Sequence, residues 1–233
     1  MRVALLTTET AHHAFFAREL ADRDRLDAIV VEKEQPVPRF PTRHALEDDR
    51  DAYERDVLLG DSGLRLAEIA DTRELGSVNN AEHFLRSAAV DVAVVFGTTR
   101  LSDRVAQSAT TACLNLHGGN PEEYRGLDTH LWAVYHRDFE NLVTTIHHVD
   151  SGIDTGDIVH CAPLRLERGL GLHQLRSLNT KLCLELTLQA LSELEAGSVP
   201  RRAQRRRGRY YSFMPAVLKD ECVEKFATHV ATL

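Results

Sequence analysis

Apolar residues in this chain fall in short dense runs separated by amphipathic stretches, and that rhythm predicts its elements. Arg2–Thr7 is a leucine-rich, β-branched run; Ala14, Phe15, Leu20 and Ala21 then recur at roughly helical spacing, and Leu26–Val31 (LDAIVV) is a second run of strand length. Strand, helix, strand in that order predicts a right-handed crossover in a parallel sheet. From Lys33 to about Gly76 the character changes: prolines at 36, 38 and 41 precede a charged stretch from Arg43 to Asp61. This predicts a loop and one or two exposed amphipathic helices, read as a solvated connection, with a substrate-specific insertion as the alternative. A helix over Asn79–Ala88, capped by Asn79 or Asn80, leads to the strand Val90–Phe96, which ends at Gly97. Cys113–His117 (CLNLH) is another short strand, and its alternation places Asn115 and His117 on one face and Leu114 and Leu116 on the other. There follow a helix over about Asp128–Asp138, a strand over Val143–Val149, a glycine-rich turn at Ser151–Gly156, a strand at Ile158–Leu166 and a long helix from Leu172 to Glu195, ended by Gly197. Gly208–Ser212 is a brief extended segment packing back on the core, and a terminal helix starts at Pro215. The alternation predicts an α/β, doubly wound, Rossmann-like and mostly parallel sheet with an antiparallel addition in its later part. The expected division is one large domain over residues 1–197 and a short C-terminal extension over 198–233.

Composition narrows the class. With 233 residues and 43% hydrophobic content, the chain can bury one substantial core. Its opening apolar run of five residues is too short for a signal-peptide core or a membrane span, and the four cysteines form no C-x-x-C pair. A cytoplasmic protein without disulfides, structural zinc or a membrane partner is expected. A net charge of −7 argues against nucleic acid as the main partner, because phosphate binding needs a positive surface. The run Arg201–Arg209 (RRAQRRRGR) is a local exception, read as a solvated turn in preference to a phosphate or RNA contact. His147 and His148, and His130 with His136, are not read as metal ligands: alternation sends the first pair to opposite faces, and no carboxylate or cysteine completes a set at metal spacing. Trp132 and Tyr135 are read as packing residues.

Two polar segments emerge at strand ends, Asn115–Gly126 (NLHGGNPEEYRG) and Asp150–Ile158 (DSGIDTGDI). In open α/β sheets the strand ends form the ligand crevice. Alone, Asn115 and His117 read more readily as structural residues than as catalytic ones. Asp154 changes the weighing: it lies in a turn whose glycines, Gly152 and Gly156, let backbone approach a ligand while the carboxylate points at it. Asn, His and Asp together are a working set for acyl transfer.

With these residues in view, the sequence resembles the folate-dependent formyltransferases, from Arg2 to about Gly197. The resemblance rests on the N-x-H motif at Asn115 and His117, the proline-containing loop ending in Tyr124-Arg125-Gly126, and the aspartate motif with Asp154, which follows His117 by 37 residues. It implies 10-formyltetrahydrofolate as cosubstrate, no metal, and Asn115, His117 and Asp154 as the catalytic residues. Formyl transfer to an amine passes through a tetrahedral species carrying an oxyanion, with one proton taken and one given. Asn115 can donate to that oxygen, His117 can donate or move a proton, and Asp154 can orient the imidazole or hold a water. The resemblance also carries over Thr99, Arg100, Leu101, Asp150, Gly152 and Asp154 as cosubstrate contacts, and Thr10, Gly119, Asn120, Tyr124 and Arg125 as acceptor contacts. One departure is the loop after the histidine, where many relatives have Ser-Leu-Leu-Pro and this chain has Gly118-Gly119-Asn120-Pro121-Glu122-Glu123, with an acidic tip.

Three features bear on the acceptor. The 37 residues after Ala196 are too few for the second, β-rich domain of the methionyl-tRNA enzymes. Where the glycinamide ribonucleotide enzymes have a glycine-rich phosphate loop, Thr7–His13 has no glycine and carries Glu9, although Arg125–His130 resembles those enzymes. The expected acceptor is a small-molecule amine, foremost a nucleotide-linked amino-deoxysugar, with an amino acid, a hydroxyamino acid or glycinamide ribonucleotide as alternatives. A catalytically silent nucleotide-binding scaffold and a formyltetrahydrofolate hydrolase are the readings of other classes. A homodimer is the expected assembly.

Overall fold

The computed structural model describes residues 1–60, 63–198 and 200–233. In chain order its elements are β1 (Val3–Thr7), α1 (Ala11–Ala21), β2 (Ala28–Glu32), α2 (Ala45–Glu54), β3 (Asp71–Leu75), α3 (Glu82–Ser87), β4 (Val92–Phe96) and α4 (Asp103–Ala106). They continue with β5 (Ala112–Gly118), β6 (Tyr124–Gly126), α5 (Thr129–Tyr135), β7 (Val143–His148), β8 (Ile158–Pro163), α6 (Leu175–Glu195), β9 (Arg209–Tyr211) and α7 (Lys219–Val230). The main sheet has the order β3-β2-β1-β4-β5-β7-β8. Its first five strands are parallel, and β7 and β8 add to β5 antiparallel, as the sequence pattern predicts.

The apolar runs make interior strands because both faces are covered: every residue of β1, β2 and β4 is buried. Leu5, Val94, Leu114 and Leu116 pack toward Phe16 and Leu20 of α1 and Cys183 and Leu191 of α6. Leu6, Ala93, Val95 and Cys113 pack toward Leu85 of α3 and Val105 of α4 on the other face. A third cluster joins Tyr124, Ala133 and Val134 to Met214, Cys222 and Phe226, which docks α7 against α5. Each leucine fully buried in these layers contributes roughly 1.5–3 kcal/mol.

Three elements lie outside the predicted pattern. β3 (DTREL) is an edge strand paired only with β2, so it tolerates polar residues and shows little apolar signal. α4 spans a single turn, and β6 is three residues long; both are too short for a period to register.

The charged segment differs from a solvated connection in a more consequential way. α2 runs on into a π turn at Arg55–Leu59, and two of its acids, Glu47 and Glu54, are buried and paired inward, whereas Asp48 and Asp49 stay exposed. Glu54 is fully buried and accepts from Arg176 Nε at 2.7 Å, while Glu47 accepts from Lys219 Nζ at 2.6 Å. These charges resemble an exposed face in sequence because their partners lie more than 120 residues away. The last residue of the predicted segment, Asp61, lies outside the described residues. Among the described residues, no helix is long and apolar enough to cross a membrane.

Candidate active site

β5 carries the polar pair. Leu114 and Leu116 enter the core under α1 and α6, so the two-residue period of the strand turns Asn115 and His117 to the opposite face. There α3 and α4 give way to loops, which opens a crevice beside β4 and β5.

Antiparallel pairing with β7 sets His147 directly across from Asn115. The Asn115 amide nitrogen lies 3.0 Å from His147 Nε2 and donates to Asp154 Oδ1 at 3.3 Å. His147 Nδ1 lies 2.8 Å from the His148 carbonyl, so Nδ1 carries the hydrogen and Nε2 accepts from Asn115. The same reasoning fixes His117: Nε2 donates to the Tyr124 carbonyl at 2.8 Å, which leaves Nδ1 facing Asp154 Oδ2 at 3.6 Å.

Asp154 closes the group from the β7–β8 turn. Its backbone adopts φ 52°, an uncommon conformation for a side-chain-bearing residue that aspartate tolerates better than most. The carboxylate also accepts from Gly126 N at 2.7 Å. Burial alone would push its pKa up; when His117 and His147 are protonated, their charges and a hydrogen bond from His147, with the Gly126 N–H, more than offset this and hold it well below the ordinary carboxylate range. The turn's glycines serve internal packing, because a Cβ on Gly156 would collide with the His148 carbonyl oxygen.

Two cavities meet here. One, of about 320 Å³, is walled by Val95, Leu101, Val149, Ile153, Asn115 and Asp154. The other, of about 420 Å³, lies toward α2 and α6 and is lined by Thr10, His12, Gln35, Arg50, Arg176 and Phe213 among others. They share Pro36, Gly97, Thr98, Leu116, His117, Gly126 and Leu127. His117 therefore stands at their junction.

The residues singled out from sequence divide between these places. Thr99, Arg100, Leu101, Asp150, Gly152 and Asp154 all line the first cavity. Thr99 is held by buried Glu32, which accepts from its N–H and its hydroxyl at 2.7 Å each, and the Asp150 carboxylate caps its own turn through Gly152 N and Thr155 Oγ1. Thr10 lines the second cavity and caps α1. Gly119, Asn120 and Tyr124 lie off both walls: the Gly119 carbonyl accepts from Thr145, Asn120 donates to Asn141, and the Tyr124 hydroxyl donates to Asp138. Arg125 faces a third cavity, with its guanidinium on the carbonyls of Ile153 and Gly208. His147 was weighed in sequence only as a metal ligand; the signal that places it here is its register opposite Asn115. Tyr210, beyond the expected large domain, also reaches the first cavity. Among the described residues, no group of three His, Cys, Asp or Glu side chains is gathered to hold a metal ion.

Comparison with known proteins agrees with this architecture. The chain is 34% identical over 123 residues to methionyl-tRNA formyltransferase of Thermosynechococcus vestitus, covering 48% of this chain and 35% of that protein. It spans about a third to a half of the length of the curated relatives it matches. Among solved structures, glycinamide ribonucleotide transformylase 1 from Symbiobacterium toebii superposes with a TM-score of 0.60 at 17% identity, over 90% of this chain and 95% of that one. WlaRD, a sugar 3N-formyl transferase solved in the presence of dTDP and 5-N-formyl-THF, superposes with a TM-score of 0.57 at 13% identity, over 91% and 69%. At such identities these likenesses show the shared fold. The sequence model of the formyl transferase family matches residues 10–177, and the chain belongs to that family.

Proposed function

We propose that this protein transfers a formyl group from 10-formyltetrahydrofolate to the amino group of a small molecule. The observation that carries this reading is the position of His117 on the wall shared by two cavities, with Asn115, Asp154 and His147 bonded around it. The first cavity suits a flat heteroaromatic ring: Val95, Leu101, Val149 and Ile153 offer apolar walls, and the Asp150–Gly152 turn offers polar edges. Bound there, 10-formyltetrahydrofolate supplies an activated formyl carbon. Both amide hydrogens of Asn115 have partners inside the protein, so meeting charge on the formyl oxygen requires releasing one; the 3.3 Å bond to Asp154 is the longer and weaker. His117 Nδ1 is placed to accept the proton of the attacking amine, and the resulting imidazolium would face the Asp154 charge. His147 holds the Asn115 amide, and Gly126 N holds Asp154.

For the acceptor we favour a nucleotide-linked amino-deoxysugar. The second cavity carries the guanidinium groups of Arg50 and Arg176; both are already paired with acids, Arg50 with Asp51 and Arg176 with Asp51 and Glu54, so a phosphate would share them with these partners. Transfer RNA, brought in by the names of the curated relatives, fits poorly with a net charge of −7. A ribonucleotide phosphate at the α1 N-terminus would compete with Thr10, whose hydroxyl already accepts from His13 N, and would meet Glu9, which accepts from Leu66 N at 3.1 Å. An amino-acid acceptor would place its carboxylate on the same two arginines. Residues 1–197 are the proposed catalytic domain, completed by the extension 198–233 through Tyr210 and Phe213.

The test is an absorbance assay with 10-formyltetrahydrofolate and a panel of amino-deoxysugar nucleotides, glycinamide ribonucleotide and hydroxyornithine. Acceptor-dependent tetrahydrofolate formation is expected. Formate release without acceptor would replace this reading by a hydrolase, and absence of both turnover and folate binding by a silent scaffold.

A further inference from the structure

Residues 97–102, which follow β4, belong to no strand or helix, so their backbone groups need partners from elsewhere. The first five of them wall the first cavity. The start of this segment is fixed at Gly97, with φ 78°, where a Cβ would lie 2.6 Å from the His13 ring. Its middle is held by Glu32. One oxygen of that carboxylate accepts from Thr99 N at 2.7 Å, and the other accepts from Thr99 Oγ1 at 2.7 Å and Val78 N at 2.9 Å. Its end is held by Asn79, whose side-chain amide donates to the Arg100 carbonyl at 3.1 Å and accepts from Ser102 N at 2.6 Å.

Packing alone does not account for an acid at position 32. Glu32 ends β2 and is 2% exposed, and β1 stands between β2 and β4 in the sheet, so its contact with Thr99 spans an intervening strand. Among the described residues it makes no ion pair; its neighbour Lys33 pairs with Glu74 instead. A buried carboxylate without a cation costs stability, which three neutral donors recover only in part, and an apolar side chain would fill the same space without that cost. What the acid adds is a fixed position for Thr99 at two points. Its third donor, Val78, opens the short turn that carries Asn79, so the two clamps on the segment are themselves joined. We propose that Glu32 and Asn79 are positioning residues for the cosubstrate: neither lines the first cavity, and both act through residues 99–102, setting that wall in the shape that receives the folate ring. The inference rests on the folate reading above.

The experiment is calorimetric titration of the full chain with 5-formyltetrahydrofolate, for the parent, Glu32→Gln and Asn79→Ala, with thermal unfolding followed alongside. In Glu32→Gln the amide nitrogen sets a donor against the backbone N–H of either Val78 or Thr99, and affinity is expected to fall roughly ten- to hundredfold. Asn79→Ala, at an exposed position, is expected to lose about three- to tenfold. Calorimetry separates this role from a merely structural one, which would lower the fraction of protein able to bind and leave the dissociation constant of the rest unchanged. A dissociation constant equal to the parent's in folded Glu32→Gln would overturn the inference while leaving the folate reading intact. Should Glu32→Gln not fold, an unchanged constant in Asn79→Ala would overturn it. Absence of folate binding in the parent would remove the folate reading and this inference together.

Discussion

β5 and the ribbon formed by β6 and β9 reach the same site by different construction. β5 is seven residues long, paired on both sides within the main sheet, and hangs its alternate leucines in the core. The ribbon is two strands of three residues each, paired only with one another. The interior strand supplies Asn115 and His117, proposed to carry the chemistry, whereas the ribbon supplies backbone groups that orient the site: the Tyr124 carbonyl holds His117, and Gly126 N holds Asp154. The proposed reactive pair is thus carried by an element that the core stabilises, and its orientation depends on a short ribbon outside the main sheet.

Variants and conditions can separate the two contributions. The largest expected effect is at β5: His117→Ala should lower turnover by about a hundred- to ten-thousandfold while thermal unfolding stays near that of the parent, checked by steady-state kinetics and calorimetry. Near-normal turnover in that variant would break the assignment of chemistry to β5. Next comes the ribbon. Gly126 has φ 96°, and a Cβ there would collide with the Tyr211 carbonyl oxygen, so Gly126→Ala should displace the Gly126 N–H from Asp154. A misplacement of that kind costs about a hundredfold in turnover, with the main sheet intact by circular dichroism.

Acid should act on the interior. Burial lowers the pKa of His130 from 6.5 to about 4, and burial and then Arg201 do the same for His148. His12 and His13 are lowered as well, by burial first and then by Arg176 for His12 and by the His12 charge for His13. For His130 and His148 the unfolded chain takes up the proton near pH 6.5 and the folded chain only near pH 4, so the stability they contribute should be full above pH 6.5, fall between 6.5 and about 4, and level off below; His12 and His13 act in the same direction. Asp154 has the depressed pKa, so its contribution survives this window and is lost only in stronger acid. A thermal midpoint independent of pH between 6.5 and 4 would contradict the buried neutral histidines. The smallest effect concerns the loop tip: Glu122→Gln, which weakens the contact with largely exposed Arg202, should cost less than about 1 kcal/mol by denaturant titration.

Much of the fold and the pairing of Asn115 with His117 could be read from the chain because both rest on local periodicity; Asp154 is added by its turn motif and the family resemblance. A strand's period of two is enough to place Asn115 and His117 on one face, and dense β-branched runs are enough for β1, β2 and β4. The reading failed where the controlling contact is distant or the element is short. The α2 acids lack their partners Arg176 and Lys219 until α6 and α7 arrive, and β3 is a polar edge. Gly119, Asn120 and Tyr124 belong to the motif loop, yet their polar groups are taken up by Thr145, Asn141 and Asp138, which sequence spacing cannot reveal.

By itself, the sequence determined the doubly wound core, the strand that carries Asn115 and His117, and the membership of Asp154 in their group. Tertiary structure alone decided that His147 faces Asn115, that a ribbon aims the trio, and that Glu32 and Asn79 hold the segment after β4. The physical reason is that a repeating pattern of burial is written residue by residue, whereas register between strands and the pairing of distant charges exist only after the chain has closed upon itself.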